Sequence, residues 1–291
     1  MGTAPLSRSD RWRLRTRTLM VGRIPLVMGV VNVTPDSFSD GGRFFEPASA
    51  VSHALHLAAE GAELLDIGGE SSRPGAEPVS PREELRRVMP VITALARQTT
   101  VPLSIDTSKA AVAREALAAG AEAINDISGL GADPDMPALA AQSGCGVVAM
   151  HMQGNPRTMQ QSPFYQDVVG EVLDYFRRRR DALLAAGIAP DRIALDPGIG
   201  FGKTIQHNLA LLRAIGQFHA LGCPLVLGVS RKRFIGRVLG DPAADPTFGT
   251  IGAALAAARQ GVQILRVHDV AAVRQALLLF EAAGGLLGDR P

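Results

Sequence analysis

Eight short apolar runs recur along the 291-residue chain, and each stops where a segment rich in Gly, Asp, Asn or Arg begins. MGVVNVTPDSFSDGG (28–42), LLDIGGESSRPG (64–75), LSIDTSK (103–109) and AINDISGL (123–130) are followed by VVAMHMQG (147–154), IALDPGIGFGK (193–203), LVLGVSRK (225–232) and ILRVHDV (264–270). Short runs that are continuously apolar suit parallel strands buried on both faces. Helical segments lie between them with no linker. Polar chemistry at nearly every strand end is how a closed (β/α)8 barrel gathers one site from many loops. An open doubly wound sheet concentrates its site at one topological switch point instead.

The pattern places strands at 26–31, 62–67, 102–105, 121–125, 147–150, 192–195, 225–228 and 262–267. Helices are expected at 46–61, 80–99, from 108 to before 120, and at 134–143, 166–186, 206–219 and 269–283. A further helical region at 233–260 is interrupted at DPAADPTFG. Ser80-Pro81 is a helix-start signature. The expected fold is α/β: one (β/α)8 TIM barrel over 26–285, preceded by an arm over 1–25. The alternating RWRLRTRTL suits a hairpin across the barrel floor. The charge run Arg177–Arg180 reads as the solvated face of a helix.

Charge and composition exclude several classes. The formal net charge is +2; the first 23 residues, with six arginines and one aspartate, carry +5, leaving −3 for the rest. A basic arm is a weak nucleic-acid or membrane signal, and no nucleic-acid-binding motif accompanies it. No apolar run reaches the ~18 residues of a membrane span. Cys145 and Cys223 are too few and too separated for a disulfide framework, so buried thiols and a cytoplasmic location are expected. GIGFG at 198–202 lacks both dinucleotide and P-loop spacing. Only three lysines, Lys109, Lys203 and Lys232, occur against 27 arginines. All three fall beside expected strand ends. Lys232 stands out as a ligand contact, with a Schiff-base lysine as its rival. Lys203 reads as a helix-start or surface charge.

Asp106, Asn125 and Asp196 each close an apolar segment. Carboxylates accept hydrogen bonds and Asn both donates and accepts, which suits a flat amino-substituted heterocycle. Helix capping is the structural alternative. Arg73, Arg266 and His268 form a second group, placed after the second and eighth strands. A guanidinium fork and an imidazole suit phosphate oxygens. Asn32 lies between them and offers an amide oxygen to Mg²⁺. His151 reads equally as a packed or a catalytic histidine.

Together, VNVTPDSFSDGG, GGESSRPG, DTSK, NDISG, MHMQG, DPGIGFGK, GVSRK and RVHD resemble the successive signatures of the dihydropteroate synthase family, from about residue 26 to 270. The resemblance implies a homodimeric barrel enzyme of folate biosynthesis. Such enzymes condense 6-hydroxymethyl-7,8-dihydropterin diphosphate with 4-aminobenzoate to 7,8-dihydropteroate and diphosphate, with Mg²⁺. It implies pterin-binding or catalytic roles for Asp106, Asn125, Asp196 and Lys232, with Met150 as a wall. Asn32, Arg73, Arg266 and His268 match the diphosphate and Mg²⁺ end. Ser72, Arg73, Pro74, Phe201 and Ser230 match the 4-aminobenzoate enclosure, and Asp36 and Phe38 fall in the first loop that helps complete it. Ser72 departs from the threonine of many members but keeps the hydroxyl.

Two other readings share parts of this pattern. A methyltetrahydrofolate:corrinoid methyltransferase shares the barrel and pterin pocket but has no need of the diphosphate group. A catalytically silent pterin-binding paralogue has no need of Asn32, Arg73, Arg266 and His268.

Overall fold

The computed structural model describes residues 8–34, 47–73 and 75–286. An antiparallel hairpin, β1 (Arg11–Arg13) and β2 (Thr18–Met20), comes first. The barrel strands are β3 (Leu26–Asn32), β4 (Leu64–Gly68), β5 (Leu103–Asp106), β6 (Ala123–Asp126), β7 (Gly146–Met150), β8 (Ile193–Asp196), β9 (Val226–Gly228) and β10 (Ile264–Val267). Between and after them run α1 (Pro47–Ala59), α2 (Pro81–Gln98), α3 (Ala110–Ala118), α4 (Met136–Ser143), α5 (Val168–Ala185), α6 (Ile205–Ala214), α7 (Arg233–Leu239), α8 (Pro246–Arg259) and α9 (Val270–Ala282). The eight strands pair in the order β8-β7-β6-β5-β4-β3-β10-β9. A parallel bridge from Leu195 to Leu225, with Leu195 N–H donating to Pro224 O at 2.9 Å, closes the ring.

Period-two alternation sorts the strand residues into two cores. Val27, Leu65, Ile67, Ile105, Ile124, Val147, Leu195, Leu227 and Leu265 face outward and pack with the helices. Met28, Leu64, Ala123, Val148, Ala194, Val226 and Ile264 face inward as a small apolar plug. Two residues further along, the same inward register carries Asp66, Asn125, Met150, Asp196 and Arg266. The barrel is therefore apolar at its base and polar at its mouth, and the site is a direct consequence of strand register.

The hairpin closes the floor, as expected from its alternation. Trp12 and Leu14 are fully buried and join the inner plug. Trp12 Nε1 donates to Arg192 O at 2.9 Å, so the indole keeps a partner for its one polar atom.

Local chemistry starts the helices where the sequence places them. Ser80 Oγ accepts from Glu83 N–H at 3.3 Å, with Pro81 in the first turn of α2; such a cap is worth ~1 kcal/mol. The stripe Val88, Val91, Ile92 and Leu95 then faces the core. DPAADPTFG does divide its helical region, because Asp245 caps α8 and Pro246 follows at its start. The helix expected over 206–219 leaves α geometry at Ala214 and continues as a 3-10 turn, Ile215–Leu221. The arginine run is only partly a solvated face. Arg177 and Arg178 are exposed, but Arg179 donates to the Gly129 and Leu130 carbonyls and Arg180 to Leu221 O. These bonds supply donors to carbonyls that turns leave unmatched.

Candidate active site

Asp106, Asn125 and Asp196 meet at the polar mouth. Asp106 and Asn125 are register partners on β5 and β6, and Met150 and Asp196 on β7 and β8. Asn125 is buried, and its Nδ2 donates to Asp66 Oδ2 at 2.9 Å. Asp196 Oδ1 accepts from Gly198 N–H at 2.8 Å. Burial raises the Asp196 carboxyl above its ordinary range, although the Gly198 bond and Lys232 oppose this. Gly198 has φ 67°, and a Cβ there would lie 2.0 Å from His151 O. Only glycine permits the loop to turn back onto Asp196.

Arg266 lies on β10 itself rather than beyond its end. Its Nε donates to Asp66 Oδ2 at 2.6 Å and its Nη2 to Asp106 Oδ2 at 2.8 Å. The residue assigned to the diphosphate end thus sits between the two groups, held by carboxylates of the heterocycle end. Asp66 carries much of this order, yet sequence reasoning missed it. Its position two residues beyond inward-facing Leu64, within an apolar strand, was the available signal. Burial, with Asp66, pushes the Asp106 carboxyl up against the pull of Arg266.

A cavity of about 470 Å³ opens beside this slot, lined by Asn32, Arg73, Ser230, Lys232, Arg266 and His268 among others. His268 lies just beyond β10. Ser230 Oγ accepts from its backbone N–H at 3.2 Å and lies 3.0 Å from Nδ1. Donation from that hydroxyl to Nδ1 selects the ring tautomer that carries its proton on Nε2. Burial, then Arg266 and Arg231, hold the imidazole down to about 3, so it acts as a neutral donor.

An adjoining cavity of about 650 Å³ is lined by Ser72, Arg73, Met159, Phe201, Lys232 and Phe234 among others. Lys232 Nζ lies 4.1 Å from the centroid of the Phe201 ring, a cation–π contact. Burial lowers the Lys232 ammonium to about 8, with Asp196 opposing. Met150, Met159 and Phe201 pack together, and Met150 lines the slot beside Asp106, Asn125 and Asp196. Asp36, Phe38 and Pro74 lie outside the described residues.

One basic residue differs from its sequence reading. Lys203 is 3% exposed and is not a surface charge. Its Nζ lies 3.0 Å from His151 Nδ1 and donates to Phe201 O at 2.8 Å. His151 is buried against Tyr175, with ring centroids 4.8 Å apart. Lys109 binds Glu70 and Glu84, each at 2.5 Å, and ties the loop after β4 to α2. Arg231 pairs with Asp269 and points outward.

A barrel whose mouth joins an acceptor-rich slot to a cationic cavity defines a class of enzyme that holds a heterocycle beside an anionic group. The profile of the pterin binding enzyme family matches residues 28–268. Dihydropteroate synthase of Neisseria meningitidis serogroup B is 50% identical over 266 residues, which cover 89% of this chain and 93% of that protein. The structure of Xanthomonas albilineans dihydropteroate synthase with 4-aminobenzoic acid has TM-score 0.88 and 47% identity, covering 95% of this chain and 98% of the other. Its complex with 7,8-dihydropteroate has TM-score 0.84 and 45% identity, covering 94% and 98%. The chain belongs to the dihydropteroate synthase family.

Proposed function

We propose that the chain condenses 6-hydroxymethyl-7,8-dihydropterin diphosphate with 4-aminobenzoate, forming 7,8-dihydropteroate and releasing diphosphate. The observation that carries this reading is the contact between three environments: the Asp106–Asn125–Asp196 slot, the Arg73–His268 cavity and the Phe201-walled cavity. They suit the heterocycle, its diphosphate and the incoming arylamine. The corrinoid methyltransferase reading leaves the cationic cavity without a ligand, and nothing favours a silent paralogue.

Asp106, Asn125 and Asp196 bind the pterin edge, and Lys232 donates from the opposite side. Arg73 and the Nε2–H of His268 hold the diphosphate and stabilise its charge as the C–O bond breaks. Asp106 and Asp196 favour the positive charge that develops on the methylene carbon. The arylamine attacks with an unprotonated lone pair, so no strong protein base is required. Phe201, Met159 and Ser72 wall the slot of that amine and exclude water.

Asn32 fits Mg²⁺ only in company with the substrate. Among the described residues no group of three or more His, Cys, Asp or Glu side chains is placed to hold a metal. Asn32 faces the cationic cavity, and Mg²⁺ commonly takes one or two protein ligands plus phosphate oxygens. When bound, the ion neutralises diphosphate charge.

A homodimer is part of this reading. Val238, Leu239, Phe248, Leu278 and Leu279 are exposed on α7, α8 and α9, and α8 packs against both neighbours. Such an apolar face suits a subunit contact. Two buried free thiols are consistent with a reducing, cytoplasmic setting. Among the described residues no helix is long and apolar enough to cross a membrane.

The test is diphosphate release by purified protein that requires both 4-aminobenzoate and the pterin diphosphate, with dihydropteroate identified as product. Diphosphate release without the arylamine would indicate a hydrolase instead.

A further inference from the structure

Asp66 does not line the three cavities of the site, yet it contacts two residues that do. Its side chain is fully buried, and one oxygen, Oδ2, accepts from both Asn125 Nδ2 and Arg266 Nε. Its other oxygen, Oδ1, is buried with no partner among the described residues. Without Asp66, Asn125 Nδ2 would lose its acceptor and Arg266 one of its two carboxylates. Asp66 therefore supports the fold, and its bonds also set the orientation of two residues that line the site.

The contact at 2.9 Å decides which way the Asn125 amide points. A flipped amide would set its oxygen against a carboxylate oxygen, two acceptors with no hydrogen between them. Asp66 therefore takes one amide hydrogen. The outer edge of Asn125 keeps Oδ1 as acceptor and the second hydrogen as donor, in a fixed order. That edge complements an amino group beside a ring nitrogen acceptor, as in the 2-amino and N1 of a pterin. A lumazine, with a C2 carbonyl beside N1–H, presents the reverse order.

We infer that Asp66 is a specificity-determining positioning residue: by accepting from Asn125 Nδ2 it locks the amide in the order that selects a 2-amino heterocycle over its 2-oxo counterpart. This rests on the pterin-binding reading above.

The test uses calorimetry with 6-hydroxymethylpterin and 6-hydroxymethyllumazine. Wild type prefers the pterin. Asp66→Leu removes the acceptor and frees the amide to flip. The preference then falls by about tenfold or more, and the lumazine binds more tightly in absolute terms, which a merely loosened pocket does not produce. Asp66→Asn keeps an oxygen at the same place, because both Arg266 Nε and Asn125 Nδ2 need an acceptor there. It retains most of the preference despite the lost charge. A folded Asp66→Leu protein with wild-type preference overturns the inference, as does equal collapse of the preference in Asp66→Asn. Should Asp66→Leu not fold, side-chain amide NMR of ligand-free wild type decides. One Asn125 hydrogen, assigned by its loss in Asn125→Asp, must be protected from solvent exchange, and solvent-like exchange of both overturns the inference. Wild type that binds neither probe and releases no diphosphate defeats the functional reading, a different outcome from each of these.

Discussion

Lys203 Nζ and His151 Nδ1 lie 3.0 Å apart in the buried layer beneath the Phe201 wall. The same ammonium donates to Phe201 O at 2.8 Å. It thereby pins the loop after β8 to the loop after β7. Burial holds Lys203 down to about 7, with Asp196 pulling the other way. Replacing it with Met keeps the volume and removes the pin. Stability should change by less than about 1 kcal/mol, because a costly buried charge leaves with its bonds. The Michaelis constant for 4-aminobenzoate should rise on the order of tenfold through misplacement of Phe201, with a smaller change for the pterin substrate. Steady-state kinetics with each substrate varied checks this, and equal rises for both would argue against a local role.

His151 makes acid stability measurable. Burial, then the Lys203 charge, hold its imidazole at about 3, against an ordinary 6.5. The folded state therefore lacks a proton that the unfolded chain binds between those values. Its contribution is fully present above pH 6.5 and is lost as pH falls toward 3, by up to about 1.4 kcal/mol per pH unit. Asp106, raised in the fold, acts in the opposite sense, but it is common to wild type and variant. His151→Gln should flatten the acid limb of stability. Urea midpoints at several pH values between 6.5 and 4 test it, and parallel curves for the two proteins would refute it.

Trp12 is a long way in sequence from the barrel base it fills, and its indole joins the inner plug. Trp12→Ala should cost about 3–5 kcal/mol. Kinetic constants of the folded fraction should change little, since the polar mouth is at the other end of the strands. Thermal unfolding with parallel assays separates the two effects.

The barrel was legible because buried parallel strands leave continuous apolar runs and their polar ends fall in one register. Asp106, Asn125 and Asp196 were legible for the same reason. Asp66 and Lys203 were not. Asp66 sits inside an apolar strand, where a carboxylate gives no sign of its partners on β6 and β10. Lys203 begins a polar loop, and only the return of that loop onto His151 buries it. Both depend on contacts across the ring, which a linear pattern does not record. Arg266 reads from the sequence as a phosphate contact, but its two carboxylate partners emerge only when β4, β5 and β10 are brought together.

Arg266→Lys keeps the charge and removes the fork that spans Asp66 and Asp106. One ammonium cannot reproduce that planar two-point contact. A buried carboxylate then lacks a donor, which should cost about 1–3 kcal/mol of stability. Pterin affinity should also fall, because Asp66 and Asp106 both position or form the slot. Calorimetry with a pterin, paired with thermal unfolding, checks both effects. Unchanged pterin affinity together with lost diphosphate affinity would return Arg266 to the anion end alone.

Ser230 and His268 provide the sharpest test of the anion end. Ser230 is buried, and its hydroxyl lies 3.0 Å from Nδ1 of His268. When that hydroxyl donates to Nδ1, the ring proton sits on Nε2, the atom proposed above to hold the diphosphate. Ser230→Ala removes that restraint and leaves the ring free to carry its proton on Nδ1. Affinity for inorganic diphosphate with Mg²⁺ should fall several-fold, in the range of one lost hydrogen bond of about 0.5–1.5 kcal/mol. His268→Ala should lose more, since the donor itself is gone. The two changes should not add, because Ser230 acts on the diphosphate only through the imidazole. Calorimetric titration of the single and double variants measures this directly. Additive losses would mean that Ser230 contacts the diphosphate itself, as a wall of the cationic cavity that it lines, rather than acting through His268.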